Sequence, residues 1–125
     1  MALELEELTE RVIGCAITVH RTLGPGFLEA IYERALAAEL RHNGLDAEYQ
    51  RECSIVYRNE EVGLQRIDLL VEDCLVVELK AISALADIHF AQTRSYLKAL
   101  KLKHGLLLNF ATMPLTIKRV IHQVD

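Results

Sequence analysis

Two neighbouring apolar segments carry three charged side chains whose spacing could bind a divalent cation. Asp68 lies within residues 67–71, and Glu78 and Lys80 lie within residues 75–80. A carboxylate on a half-buried strand loses hydration energy unless it is paired, hydrogen-bonded or bound to a metal. Because side chains alternate between the two faces of a strand, Glu78 and Lys80 share one face. These three residues are therefore the first candidates for chemistry.

The length of the turn between the two segments decides whether the carboxylates meet. A three-residue turn at 72–74 places Asp68 directly opposite Glu78, with Cβ atoms about 4.5–5.5 Å apart. Two carboxylates at that distance repel each other unless a cation lies between them, whereas a slip of one residue would turn them to opposite faces. Alternatively, Lys80 simply neutralises Glu78 on a solvated strand. The flanking runs lack polar alternation, which favours strands buried on both faces and hence a site.

Length and composition fit one domain over residues 1–125. The chain has 125 residues, of which 51% are hydrophobic, enough for one core. No segment approaches the roughly 20 apolar residues that span a bilayer, and the acidic start of the chain differs from the basic start of a signal peptide. We therefore expect a cytoplasmic protein with no membrane partner. The three widely spaced cysteines predict reduced core thiols and disfavour zinc or iron–sulfur ligation.

The overall charge weighs against a protein that binds nucleic acid tightly. The formal net charge is −4, whereas binding without sequence preference depends on phosphate neutralisation by Lys and Arg. Six basic residues are nevertheless dense enough to form a local positive patch. They are Lys98, Lys101, Lys103, His104, Lys118 and Arg119. Net charge alone therefore leaves nucleic-acid binding open.

Hydrophobic periodicity predicts the elements that would position the charged residues. Apolar residues at spacings of three and four predict a helix over 5–23, and Gly24-Pro25-Gly26 separates it from a second helix over 27–42. The remaining predicted elements are strands at 48–58, 64–71 and 75–80, a helix at 84–101, and strands at 105–110 and 117–124. This order predicts an α/β sandwich, with an N-terminal helical hairpin and a mixed central sheet of four to five strands flanked by helices.

Several polar residues on the predicted helices could join the site. Glu29 lies on a stripe of core residues of the second helix, although the helix dipole explains an acidic first turn equally well. Gln92 and Tyr96 lie on a polar ridge of the later helix, which could also be a solvated face. His20 could reach a cleft, or could simply pack at a helix end. We rank His20, Tyr32 and Tyr96 as secondary candidates.

Short motifs follow one another in an informative order. Residues 26–32 fit the pattern GxxExxY, Asp68 and residues 78–80 fit D and ExK, and residues 92–96 fit QxxxY. In this order the chain resembles the GxxExxY group of the PD-(D/E)xK nuclease superfamily, with Ile67 in the place of the proline. The resemblance covers nearly the whole chain. It implies a restriction-endonuclease-like fold and a single nuclease-like domain.

The resemblance also implies a role for each matching residue. Asp68 and Glu78 would be the principal metal ligands, and Glu29 would complete the metal site from the helix before the sheet. Lys80 would position or activate water and stabilise charge on the phosphate. Gln92 would support Lys80 or the substrate.

These assignments predict a metal-dependent nuclease. Carboxylate ligands favour Mg²⁺ or Mn²⁺, which prefer oxygen donors, and we expect phosphodiester hydrolysis of nucleic acid, with DNA as the expected substrate. The alternative is a catalytically inactive nuclease-fold module that binds nucleic acid or protein, in keeping with the net charge of −4. A homodimer or a partner protein could supply the positive surface that the chain lacks.

Overall fold

The computed structural model describes residues 4–123. Its elements in chain order are α1 (Leu5–Leu23), α2 (Glu29–His42), β1 (Ala47–Tyr57), β2 (Glu60–Val71), β3 (Leu75–Lys80), α3 (Asp87–Leu100), β4 (His104–Asn109) and β5 (Thr116–Ile121). The strands form one sheet in the order β1-β2-β3-β4-β5, in which only β3 and β4 run parallel. These elements confirm the predicted restriction-endonuclease-like α/β fold with a mixed sheet.

The apolar residues of the sheet divide between two cores, one on each face. Leu69 and Val77 pack with the residues of α1 and α2, including Tyr32. Val76 packs on the other face with Leu97 of α3. Residues of β3 and β4 are almost all buried, as the uninterrupted apolar runs predict for strands covered on both faces. The sheet is therefore held between the α1–α2 hairpin and α3.

The first hairpin turns earlier than the sequence predicts. The predicted connection near 59–63 is wrong, because β1 and β2 are joined at Arg58 and Asn59, whose φ angles are 51° and 64°. Gly63 instead lies inside β2, next to an irregularity of the register at Ile55. Two consecutive left-handed residues make the tight turn that suits antiparallel strands. Arginine is unusual in such a turn, whereas glycine is common there, and the sequence analysis therefore extended the predicted turn to Gly63.

Other element ends differ from the predictions by a few residues. The second helix begins at Glu29 and the third at Asp87, whereas the sequence predicts starts at 27 and 84. The predicted last strand, 117–124, begins one residue earlier and ends at Ile121; its predicted end, Val124, lies outside the described residues. Element ends depend on individual capping contacts, which hydrophobic periodicity does not resolve.

Two predictions from composition can be compared with the described residues. Cys15 and Cys53 are buried free thiols, and Cys74 is a half-buried one at the turn between β2 and β3. Burial raises the pKa of each thiol, which favours the unreactive protonated form. Across residues 4–123, every helix is too short or too polar to cross a membrane.

Replacing Gly105 by alanine tests how tightly α3 packs on the sheet. An added Cβ would lie 3.3 Å from the side chain of Thr93 and 3.3 Å from the carbonyl oxygen of Val76, so these neighbours must shift to admit it. We expect Gly105→Ala to lower the free energy of unfolding by about 1–3 kcal/mol, measured by urea denaturation. Gly63→Ala is the matched control, because nothing lies within 4 Å of its Cβ position. Equal stability of the two variants would contradict this packing.

Candidate metal centre

The turn between β2 and β3 sets the register that brings the two strand carboxylates together. Val71 is paired with Leu75, and the Cys74 N–H donates to the Val71 carbonyl at 3.1 Å. Glu72 and Asp73 take left-handed φ angles of 52° and 57°. The structure therefore confirms the predicted three-residue turn.

Beyond the pair Leu69–Val77, side chains replace the backbone ladder between β2 and β3. The Asp68 N–H donates to Oε1 of Glu78 at 2.9 Å, and the Leu79 N–H donates to Oδ2 of Asp68 at 2.9 Å. Each carboxylate thus accepts a backbone N–H from the opposite strand, as an ionised carboxylate prefers. The predicted juxtaposition of Asp68 and Glu78 is present.

Helix α2 adds two further carboxylates, one of which the sequence analysis missed. Oxygens of Glu29, Glu33 and Asp68 all lie within 4.8 Å of one another, and we call these three residues the acidic cluster. Glu33 is almost fully buried and lies one helical turn after Glu29. The signal for Glu33 was its spacing from Glu29, but a glutamate at that spacing is also ordinary on a solvated helix. Glu78 adjoins the acidic cluster through its hydrogen bond to the Asp68 N–H.

The carboxylates are held in an environment that disfavours their charged forms. Burial, with a smaller contribution from neighbouring carboxylates, raises the pKa of Asp68, Glu78 and Glu33 to about 7 each. Burial also raises the pKa of Glu29, which the Lys80 ammonium partly offsets. The positive charge of Lys80 likewise lowers the pKa of Glu78. Additional positive charge at this place would favour the ionised forms.

The donor set of the acidic cluster fits a hard divalent cation. All three side chains offer carboxylate oxygens, the ligands that Mg²⁺ and Mn²⁺ prefer. A bound cation would favour the ionised carboxylates and so offset the burial and the smaller repulsion that raise their pKa values. Asp68 accepts a backbone hydrogen bond that orients its carboxylate, as the ligands of metal sites commonly do.

Tyr32 contacts the loop that precedes Glu29. Its hydroxyl donates to the Gly24 carbonyl and accepts the Phe27 N–H at 3.1 Å. Its ring is fully buried and stacks on Phe110 with centroids 4.8 Å apart. Tyr32 therefore fastens the loop before α2 to the start of that helix, where Glu29 lies. Its contacts are those of a positioning residue.

Asn109 is a second residue that sequence reasoning missed. Its side chain is fully buried; the amide donates to the Ile82 carbonyl at 2.9 Å and accepts the Ile82 N–H at 3.2 Å. The Phe110 N–H donates to the Lys80 carbonyl at 2.8 Å. These bonds fix the chain that follows Lys80, although an asparagine at a strand end is not itself a distinctive signal.

The remaining predicted site residues lie around this centre in different ways. His20 is buried, and its Nε2 is 2.8 Å from the Thr112 carbonyl, so it joins α1 to the loop after β4. Gln92 is exposed on α3. Tyr96 packs against the core between α3 and the sheet, and burial, with the charges of Glu78 and Asp68, raises the pKa of its hydroxyl to about 12.

Part of the predicted basic patch lies away from the carboxylates. His104 pairs with Leu75, the first residue of β3, whereas Lys80 is the last, so about 17 Å separates the two ends at about 3.3 Å per residue. Arg119 is near His104, whose pKa is lowered by burial and by adjacent positive charge. Arg119 is also paired with Glu6 of α1 at 3.2 Å.

Comparison with known proteins identifies the family and agrees with the fold. A family model described as the PD-(D/E)XK nuclease superfamily matches residues 6–120, which is nearly the whole chain. The chain belongs to this superfamily. The match confirms the broader resemblance that the motifs predict, whereas the narrower GxxExxY assignment stays a prediction.

A solved structure supports the fold alone. The chain is similar to the crystal structure of SSO0001, with 21% sequence identity and a TM-score of 0.61. The similarity covers 77% of this chain and 50% of the SSO0001 chain, so this chain corresponds to half of the length of SSO0001. No curated protein matches the chain significantly.

Raised carboxyl pKa values predict that the metal-free protein loses stability as the pH rises. The native state binds more protons than the unfolded chain between the ordinary values of 3.8 or 4.5 and about 7, so the free energy of unfolding falls across that window. Asp68→Asn should flatten this dependence and raise the melting temperature at pH 8. Thermal denaturation in EDTA from pH 4 to pH 8 measures both effects.

The control for this titration is Glu61→Gln, which removes an exposed carboxylate of β2. It should keep the pH dependence of the wild type. Equal slopes for the wild type and Asp68→Asn would show that Asp68 does not carry a raised pKa.

Proposed function

We propose that the chain is a nuclease that uses Mg²⁺ or Mn²⁺ to hydrolyse phosphodiester bonds of nucleic acid, with DNA as the expected substrate. The observation that carries the proposal is the acidic cluster, whose three oxygens lie within 4.8 Å of one another. Membership of the PD-(D/E)XK superfamily supports the same class of reaction. Asp68, Glu78 and Lys80 stand at the motif positions of that superfamily.

We assign the metal to Asp68, Glu78 and Glu29 as the motifs predict, and add Glu33 because its carboxylate belongs to the acidic cluster. When bound, the cation would lower the pKa of a water molecule and polarise the scissile phosphate. The chain's own contribution is orientation: the Leu79 N–H holds Asp68, and the Asp68 N–H holds Glu78. These bonds fix both carboxylates before substrate arrives.

Lys80 supplies the positive charge of the proposed mechanism. Its ammonium lies close enough to lower the pKa of Glu29 and Glu78. There it would position water and offset the negative charge that develops on the phosphate as the bond breaks. Tyr96, with a pKa near 12, stays protonated and could donate a hydrogen bond. Gln92 is exposed and could contact Lys80 or the nucleic acid.

Binding of nucleic acid requires more positive charge than the described site offers. The net charge is −4, and the positive group around His104 lies at the far end of β3 and β4. We therefore propose that a second copy of the chain or a partner protein contributes to the grip on the substrate. A cytoplasmic location and a single domain over residues 1–125 stay predictions.

The net charge also favours the competing candidate, an inactive nuclease-fold module that binds protein or nucleic acid. In that case the buried carboxylates would form a structural hydrogen-bond network. Metal uptake and hydrolysis separate the two candidates, since the inactive module needs neither.

Metal uptake should depend on Glu33 as well as on the motif residues. Glu33→Gln keeps the size of the side chain but removes one charge from the acidic cluster, so we expect affinity for Mn²⁺ to fall about 10–100-fold. Isothermal titration calorimetry at pH 7.5 measures it. Glu61→Gln, which changes an exposed glutamate of β2, should bind as the wild type does. Unchanged affinity in Glu33→Gln would remove Glu33 from the site.

Hydrolysis should require Glu78 and Lys80. Glu78→Gln and Lys80→Met should each lower the rate of cleavage by about 10²–10³-fold, measured on labelled single-stranded DNA, double-stranded DNA and RNA with Mg²⁺ or Mn²⁺. Arg58→Gln, at the exposed turn of the first hairpin, is the control and should keep the wild-type rate. If all four proteins cleave at the same rate, the activity comes from a contaminant and the proposal fails.

A further inference from the structure

Gln50 has a backbone conformation that is unusual for a residue inside a strand. Its φ is 55°, although it lies inside β1 between residues paired in regular register, Tyr49 with Leu69 and Arg51 with Ile67. Within residues 4–123, five other non-glycine residues have positive φ, and all five lie in hairpin turns or at a helix C-cap. They are Arg58, Asn59, Glu72, Asp73 and Lys101. A left-handed residue inside a strand is strained and often marks a functional site.

Near Gln50, side chains of β1 and β2 that would ordinarily share one face of the sheet lie on opposite faces. Side chains two residues apart normally lie on one face of a strand. Yet Tyr49 packs with the α1–α2 core and Cys53 with the α3 core. On β2, Leu69 packs with the α1–α2 core, whereas Ile67, two residues earlier, packs with the α3 core. Asp68 lies between them, at the crossover opposite Gln50.

The Gln50 side chain donates a hydrogen bond to the acidic cluster. Its Nε2 donates to Oε2 of Glu33 at 2.9 Å. Gln50 and Tyr49 also lower the pKa of Glu33, against the larger effect of burial. An amide is well suited to this contact, because it stabilises a carboxylate without adding a charge that would compete with a cation. The strained backbone thus accompanies a contact to the site.

We propose that Gln50 is a positioning residue of the metal centre: its left-handed backbone directs its amide to Glu33 and holds that carboxylate beside Asp68 in the geometry that binds the cation. This inference rests on the proposed metal site. It assigns to β1, a strand that carries none of the recognised motifs, a direct part in ordering the ligands. It also gives the strain at Gln50 a function.

Gln50→Gly separates the backbone from the amide. Glycine adopts positive φ without strain, so the variant should unfold at the same or a higher temperature than the wild type. It lacks the amide, so its affinity for Mn²⁺ should fall about 10–100-fold, as for other residues that orient metal ligands. A residue with a merely structural role would lose stability and keep its affinity for the metal.

Two further variants serve as controls for the backbone and for the reach of the amide. Arg58 has a left-handed backbone like that of Gln50, with a φ of 51°, but it lies in the turn between β1 and β2. Arg58→Gly should therefore bind Mn²⁺ as the wild type does. Gln50→Asn tolerates positive φ and keeps an amide on a shorter side chain, and should bind as weakly as Gln50→Gly. Calorimetric titration of Mn²⁺ and thermal denaturation give both readouts. Wild-type affinity in Gln50→Gly would overturn the proposal.

A double-mutant cycle in EDTA tests the contact independently of metal binding. The free energies of unfolding of the wild type, Gln50→Gly, Glu33→Met, which removes the acceptor oxygen, and the double variant should be non-additive, with a coupling of about 2-fold or more in the unfolding equilibrium constant. Additive effects would overturn the proposal even if the protein binds Mn²⁺. If the two substitutions are coupled but the wild type takes up no Mn²⁺, the proposed function fails although Gln50 still orients Glu33. Gln50 would then not position Glu33 for a metal, and the proposal would fail with it.

Discussion

The two hydrogen bonds that hold the strand carboxylates, from the Asp68 N–H to Glu78 and from the Leu79 N–H to Asp68, are the constraint around which this protein is organised. Where β2 and β3 part, each carboxylate accepts a backbone N–H that a continuing ladder would have paired. The two buried carboxylates therefore lie side by side in the sheet, which costs desolvation energy and adds electrostatic repulsion. Helix α2 adds Glu29 and Glu33 to the same place. The fold concentrates negative charge where a compact domain would ordinarily exclude it.

Much of the surrounding structure holds these carboxylates in position. Tyr32 fastens the loop before α2, and Asn109 fastens the chain after Lys80. Because burial raises the pKa of the carboxyl groups, the same arrangement that would bind a cation weakens the metal-free fold at neutral pH. Such a trade of stability for a prepared site is common in enzymes. It makes stability in the presence and absence of metal a direct report on the site.

The sequence allowed the strand part of the site to be predicted, because a period of two residues and a three-residue turn leave only one register for Asp68 and Glu78. It did not reveal Glu33, since a glutamate one turn after another is ordinary on a helix surface, and only tertiary packing buries it. The left-handed backbone of Gln50 leaves no compositional trace. The basic residues that the sequence groups into a patch do not reveal how far that patch lies from the site, which is set by the order of the strands: His104 lies at the far end of β3 from Lys80.

The central claim is that the acidic cluster binds one divalent cation, and anomalous diffraction from crystals soaked in Mn²⁺ tests it most directly. We predict an anomalous peak within coordination distance of Asp68, Glu78, Glu29 and Glu33, and its loss in crystals of Asp68→Asn. Wild-type crystals that show no peak at these carboxylates, at a Mn²⁺ concentration that fills other surface sites, would contradict it.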